Sequence, residues 1–147
     1  MTQPAGRKKI YFASDFHFGI PDHKRSLERE KLFVEWLDKV KQDAEQIFLM
    51  GDIFDFWFEY KSTIPKDQFR VLNLLYNLKN NGLNIDYISG NHDFWMGDFF
   101  ETQLGINIHQ DHFNFDYNGL KLHFIHGDGL SPADKGYRFL KKILRNR

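Results

Sequence analysis

The chain has 147 residues, enough for one domain with a real core, and 16 of them are Phe. Mean hydropathy is −0.55, and no apolar run reaches the ~18 residues that a membrane-spanning helix needs. The formal net charge is zero and there is no Cys, which excludes disulfides and thiolate metal sites and leaves His, carboxylate and amide groups as possible ligands.

The charge is unevenly spread. Residues 135–147 carry six Lys/Arg and no acid, which leaves 14 basic against 20 acidic residues in the first 134. An acidic body with a short basic tail argues against a broad nucleic-acid surface, so no nucleic-acid partner is expected. The opening MTQPAGRKK lacks the apolar stretch of a signal peptide, which points to a cytoplasmic location.

KKIYFAS (8–14) is a short apolar run stopped by Asp15, the pattern of a buried strand. After a loop with Gly19 and Pro21, Ser26 is placed to cap a helix over roughly 27–42. Arg29 stands where a capping box would have an acid, and Leu32, Phe33, Trp36, Leu37 and Val40 follow at helical spacing. QIFLM (46–50) is a second strand, ended by GDIFD. FWFEYKSTIP is an aromatic loop broken by Pro65. Asp67 is placed to cap a second helix with Phe69, Leu72, Leu75 and Leu78 or Lys79 on one face, closed by NNG (80–82).

NIDYIS (84–89) is a third strand, running into GNHD. A short helix is expected around 98–104, stopped by Gly105. INIH, FNFDY and LKLHFIH are further strands, and Asn118-Gly119 between the last two is a hairpin turn. The order strand, helix, strand, helix, strand implies a parallel sheet with right-handed crossovers, followed by antiparallel strands. No linker or repeat divides the chain, so residues 1–147 form a single domain.

Four of these strands end alike: at Asp15-Phe16-His17, at Gly51-Asp52, at Gly90-Asn91-His92-Asp93 and at His126-Gly127-Asp128. In an open α/β sheet, ligands bind beyond the carboxyl ends of the strands, so parallel strands deliver such clusters to one crevice. Asp15 and His17, two apart on extended backbone, would point the same way and suit one ion. Asp52 could bridge two ions with its two oxygens, Asn91 offers a carbonyl oxygen and His126 a ring nitrogen. Nitrogen and oxygen donors without thiolate suit Mn²⁺, Zn²⁺ or Fe²⁺ better than Ca²⁺. Singly, each cluster has a plainer reading: Asp15 and His17 a solvated pair, Asp52 and Asp55 a helix cap, Asn91-His92-Asp93 a turn. Their common place at strand ends is what favours a site. His23, His109, His112 and His123 receive no role.

D-x-H, GD-x-x-D, GNHD and a strand-terminal His, in this order, resemble the calcineurin-like metallophosphoesterases. The resemblance implies an α/β (α+β) sandwich of mixed β-sheets flanked by helices, holding two divalent metal ions. Asp15 and His17 would hold the first ion, Asp52 would bridge, and Asn91 and His126 would hold the second. His92 would act as the catalytic acid near the scissile phosphate, with Asp93 fixing its orientation.

FASDFHFG, GDIFDFW, GNHDFWMGDFF and FIHGDGLSPADKGYRFL are similar, more narrowly, to the UDP-2,3-diacylglucosamine pyrophosphatases of lipid A biosynthesis. That resemblance implies a UDP-linked diacylated sugar as substrate, contacted by Asn91, His92 and Asp134, and a helical lid beginning at residues 134–147. Arginine is usual in that family where this chain has His92, the form of the wider superfamily. The family's closing GH-x-H motif is absent from the 147 residues, so the expectation is a C-terminally truncated fragment lacking the last part of the fold. Phe139, Leu140, Ile143 and Leu144 recur at helical spacing among Lys135, Arg138, Lys141, Lys142, Arg145 and Arg147. This basic amphipathic pattern suits either a lid or a peripheral contact with the inner membrane.

Overall fold

The three apolar runs of the first 90 residues form strands of one sheet. In the computed structural model, which describes residues 9–131 and 133–144, these are β1 (Lys9–Ala13), β2 (Ala44–Leu49) and β3 (Asn84–Ile88). A fourth strand, β4 (Asn107–His109), pairs with β3, giving the order β1-β2-β3-β4 with every pair parallel. Two helices connect the first three strands: α1 (His23–Val40) and α2 (Phe69–Asn80). They enclose the main core with the aromatic loop after β2: Phe33, Leu37, Ile47, Leu49, Trp57, Leu75, Tyr87 and Phe100 are fully buried.

Both helices begin differently from the sequence expectation. α1 starts at His23, four residues early, because Asp22 accepts a hydrogen bond from the Arg25 amide (2.9 Å) and is the cap. Ser26 turns the other way and accepts from the Gly19 amide (2.8 Å), and Leu32 points outward rather than joining Phe33 and Leu37. Asp67 caps nothing. It lies in a 3₁₀ turn, Lys66–Gln68, leading into α2, whose buried stripe is Val71, Leu72, Leu75 and Leu78 while Phe69 is 68% exposed. The expected helix near 98–104 is a five-residue π-helical turn, Phe100–Leu104.

The hairpin forms as its turn chemistry predicts. β5 (His112–Tyr117) and β6 (Leu120–Ile125) pair antiparallel across Asn118 (φ 50°) and Gly119 (φ 82°), both in the positive-φ region that a tight hairpin turn demands. It covers the sheet face opposite the helices. Phe48 of β2 and Ile88 of β3 form a second core with Phe124, and the Phe48 ring lies 4.7 Å from Phe124 and 5.1 Å from Phe115. Helices, parallel sheet and antiparallel hairpin are thus stacked as layers, the expected sandwich of β-sheets flanked by helices.

Beyond the hairpin, α3 (Lys135–Leu144) is fastened by polar contacts. Tyr137 donates to Asp128 (2.5 Å), Lys141 pairs with the same carboxylate (2.6 Å), and Arg138 donates to the Gly129 and Ser131 carbonyls. Phe139, Leu140 and Ile143 are exposed. Lys8, Arg145 and Arg147 lie outside the described residues, as do the side chains of Lys142 and Leu144. No helix among the described residues is long and apolar enough to cross a membrane.

Candidate metal centre

The carboxyl ends of β1, β2 and β3 stay paired after the strands stop. Asp15 donates its amide to the Gly51 carbonyl (3.2 Å), His17 to Asp52 (3.0 Å) and Phe18 to Ile53 (2.9 Å). This holds the segment after β1 against the segment after β2. The segment after β3 comes as close: a Cβ on Gly90 would lie 2.6 Å from the Asp52 amide nitrogen and 2.0 Å from its carboxylate. Gly51, at φ 87°, could carry a Cβ only by striking Gly90 and the His126 ring. Two glycines therefore let three strand ends and one imidazole meet.

Six candidate side chains converge there. His17, Asp52 and His92 bring ligand atoms within 4.8 Å of one another, and so do Asp15, Asp52 and His126. Asp52, only 4% exposed, belongs to both groups. Asn91 joins the second, its Oδ1 3.2 Å from His126 Nε2. Asp15 and His17 approach to 4.0 Å, though not through strand alternation: both are in the left-handed region (φ 59° and 46°), as is Asp52 (φ 54°). Three non-glycine residues at positive φ in one site mark a conformation held by its surroundings.

The imidazoles are oriented from behind. His126 Nδ1 lies 2.8 Å from the Met50 carbonyl, which makes that nitrogen the donor and turns Nε2 toward Asp52 (3.3 Å) and Asn91. His92 Nδ1 is likewise 2.9 Å from the Asp55 carbonyl. The Asp55 carboxylate stands 3.2 Å from His92 Nδ1 and 3.5 Å from His17 Nδ1. Asp55, which has no site role in the sequence reading, supports both rings. The signal was present in the GD-x-x-D spacing, which puts its backbone and carboxylate beside two rings.

Asp93 does something other than expected. Its carboxylate is fully buried and accepts from the amides of Gly90 (2.8 Å), Ile53 (2.8 Å) and Phe54 (3.3 Å) and from the Tyr87 hydroxyl. It ties the segment after β3 to the segment after β2, while the orienting contact to the His92 ring comes from Asp55. Asp134 lies at the head of α3 and belongs to neither group of ligands among the described residues.

The charges fit a cation. The hydrogen bond to Asp52 raises His126 to about 9 against the opposing effect of burial, aided by the Met50 carbonyl. Burial pushes Asp52 upward, but hydrogen bonds from His126 and the His92 amide, with the charge of both rings, hold it below the usual carboxylate range. Asp52 is thus ionised, and the proton it draws onto His126 is the one that a cation bound there would displace. His17 Nδ1 is buried without a hydrogen bond among the described residues. Two carboxylates, three imidazoles and an amide oxygen around a shared, ionised Asp52 are a donor set suited to two divalent cations of the Mn²⁺, Fe²⁺ or Zn²⁺ type.

Residues 8–146 match the family model described as calcineurin-like phosphoesterase. The chain belongs to that family. Among its relatives is a UDP-2,3-diacylglucosamine hydrolase of Porphyromonas gingivalis, 33% identical over 141 residues, covering 95% of this chain and 54% of that protein. A hydrolase of the same name from Hahella chejuensis is 32% identical over 135 residues, covering 92% of this chain and 53% of that one. The chain therefore spans about half the length of the curated relatives it matches. A protein of unknown function from Aquifex aeolicus shares the fold, with a TM-score of 0.53 and 17% identity over 92% of this chain and 69% of its own. The two groups of ligands joined at Asp52 are in keeping with the binuclear hydrolase centre of a calcineurin-like phosphoesterase.

Proposed function

We propose that this chain forms the metal-binding part of an enzyme that hydrolyses the pyrophosphate bond of UDP-2,3-diacylglucosamine. The products would be UMP and the lipid monophosphate, and Mn²⁺ the working metal. The observation that carries the hydrolytic reading is Asp52, the single carboxylate common to both ligand groups. The substrate reading is supported by the names of the relatives and by the HGDGLSPAD segment.

Asp15, His17, Asp52, Asn91 and His126 would hold the two cations. The chemistry supplied by bound divalent cations is charge neutralisation on a phosphoryl group and a lowered pKa for an attacking water. His92, its Nδ1 committed to the Asp55 carbonyl, would in its protonated form deliver a proton to a leaving oxygen. Asp93 contributes by fixing the position of His92 along the backbone. Asp134, at the head of α3, would meet substrate from outside the ligand cluster, and α3 would begin a lid.

A second reading is another phosphodiester substrate, favoured by His92 where the lipid A enzymes usually have arginine. Hydrolysis of the UDP-linked diacylated sugar is expected to exceed that of bis(p-nitrophenyl) phosphate, to need added Mn²⁺, and to vanish in Asp52→Ala. Activity that survives chelation would defeat the metal-dependent reading; a preference for the aryl diester would defeat the substrate.

The exposed Phe139, Leu140 and Ile143 of α3, beside Lys135 and Arg138, support a peripheral contact with the cytoplasmic face of the inner membrane. Co-sedimentation with anionic liposomes should fall when Phe139 and Ile143 become Ser. Unchanged binding would remove this part of the proposal.

A further inference from the structure

Arg29 occupies the position in α1 where a capping box would carry an acid, and the structure shows what it does there instead. Its guanidinium reaches back to the segment that follows β1. Nε donates to the Phe16 carbonyl (2.8 Å), and Nη2 donates to the His17 carbonyl (2.9 Å) and to that of Ile20. One turn earlier, Ser26 accepts from the Gly19 amide (2.8 Å). The opposite edge of the same segment is held by the residues that follow β2, whose Gly51, Asp52 and Ile53 carbonyls accept from the amides of Asp15, His17 and Phe18. Three amides of the segment thus go to residues 51–53 and three of its carbonyls to Arg29, which holds its backbone from both sides.

We infer that Arg29 is a positioning residue for the metal ligand His17. His17 sits at φ 46°, in the left-handed region that a residue with a side chain avoids unless its neighbours impose it. In that conformation its ring lies 3.8 Å from Asp52 Oδ2 and packs edge-on to His92 at 4.7 Å between centroids. The three carbonyls held by Arg29 include that of His17 itself and flank it on either side. A guanidinium presents its donors in a rigid fork, which Lys cannot reproduce. This role rests on the metal-centre reading above.

The test uses the 147-residue chain with Mn²⁺ alone as probe. Affinity would be measured by titration calorimetry, with thermal melts in parallel, for wild type, Arg29→Ala, Arg29→Lys and Arg70→Ala. Arg70 is the control: from α2 it pairs with Glu30, the neighbour of Arg29 on α1, and it is not among the partners of the 16–20 segment. Arg29→Ala is expected to weaken Mn²⁺ binding about 10- to 100-fold, the usual cost of losing support behind a ligand. Arg29→Lys should recover part of the loss, and Arg70→Ala should lower the melting temperature without changing affinity. If Arg29→Ala does not fold, Arg29→Lys decides: wild-type affinity overturns the inference and weakened affinity in a folded chain upholds it. Equal losses in Arg29→Ala and Arg70→Ala would also overturn it. Absence of Mn²⁺ uptake by the wild-type chain would instead defeat the metal-centre reading itself.

Discussion

His126 carries the charge balance of the site. Its imidazole is held up to about 9, above an ordinary value of 6.5, by its hydrogen bond to Asp52. A group whose folded value is raised stabilises the fold fully below its unfolded value and loses that contribution as pH rises through the folded one. The metal-free chain should therefore lose melting temperature between pH 6.5 and about 9, and His126→Gln should lack that slope. A constant difference between the two proteins across this range would contradict the pairing. Gly90 gives a second test at this scale. Gly90→Ala forces a Cβ to 2.6 Å from the Asp52 amide, so it should cost roughly 1–3 kcal/mol in urea denaturation and displace a ligand. Wild-type stability with wild-type Mn²⁺ affinity would count against the close approach of the strand ends. The residues that converge were legible in sequence because each cluster follows an apolar run directly. The supports behind them were not: Asp55 and Asp93 lie in the same motifs, and only the fold decides which ring or amide each one faces.

Among the elements, strands and hairpin were more legible than helix ends. An apolar run or an Asn-Gly turn is a local signal, whereas the choice between Asp22 and Ser26 as cap depends on Gly19, which draws Ser26 away. The exposure of Phe69 has the same origin, since the preceding 3₁₀ turn rotates the start of α2 and moves its buried stripe to Val71. The hairpin has a functional consequence, because it delivers His126. Among the described residues, its fully buried aromatic partner on the parallel sheet is Phe48. Phe48→Ala should cost about 3–5 kcal/mol, the usual range for a buried aromatic truncated to Ala. Mn²⁺ affinity should fall with it as His126 loses its seat. Full metal affinity in a destabilised Phe48→Ala chain would show that His126 is held independently of the sandwich.

At the level of the whole molecule, the layering explains why distant residues form one centre. The parallel sheet places three strand ends side by side, α1 fixes the first of the following segments from one face, and the hairpin adds His126 from the other. A parallel sheet with a crevice at its carboxyl ends was legible from the strand–helix alternation. Which face the hairpin would cover was not, because Phe48 and Ile88 look in sequence like any other core residues. The central claim is that Asp52 joins two metal positions in one chain. Mn²⁺ titration of the metal-free protein, followed by calorimetry and electron paramagnetic resonance, tests it most directly. Two ions per chain with a spin-coupled signal, both lost in Asp52→Ala, is the predicted result. A single uncoupled ion, bound equally well without the Asp52 carboxylate, would contradict it.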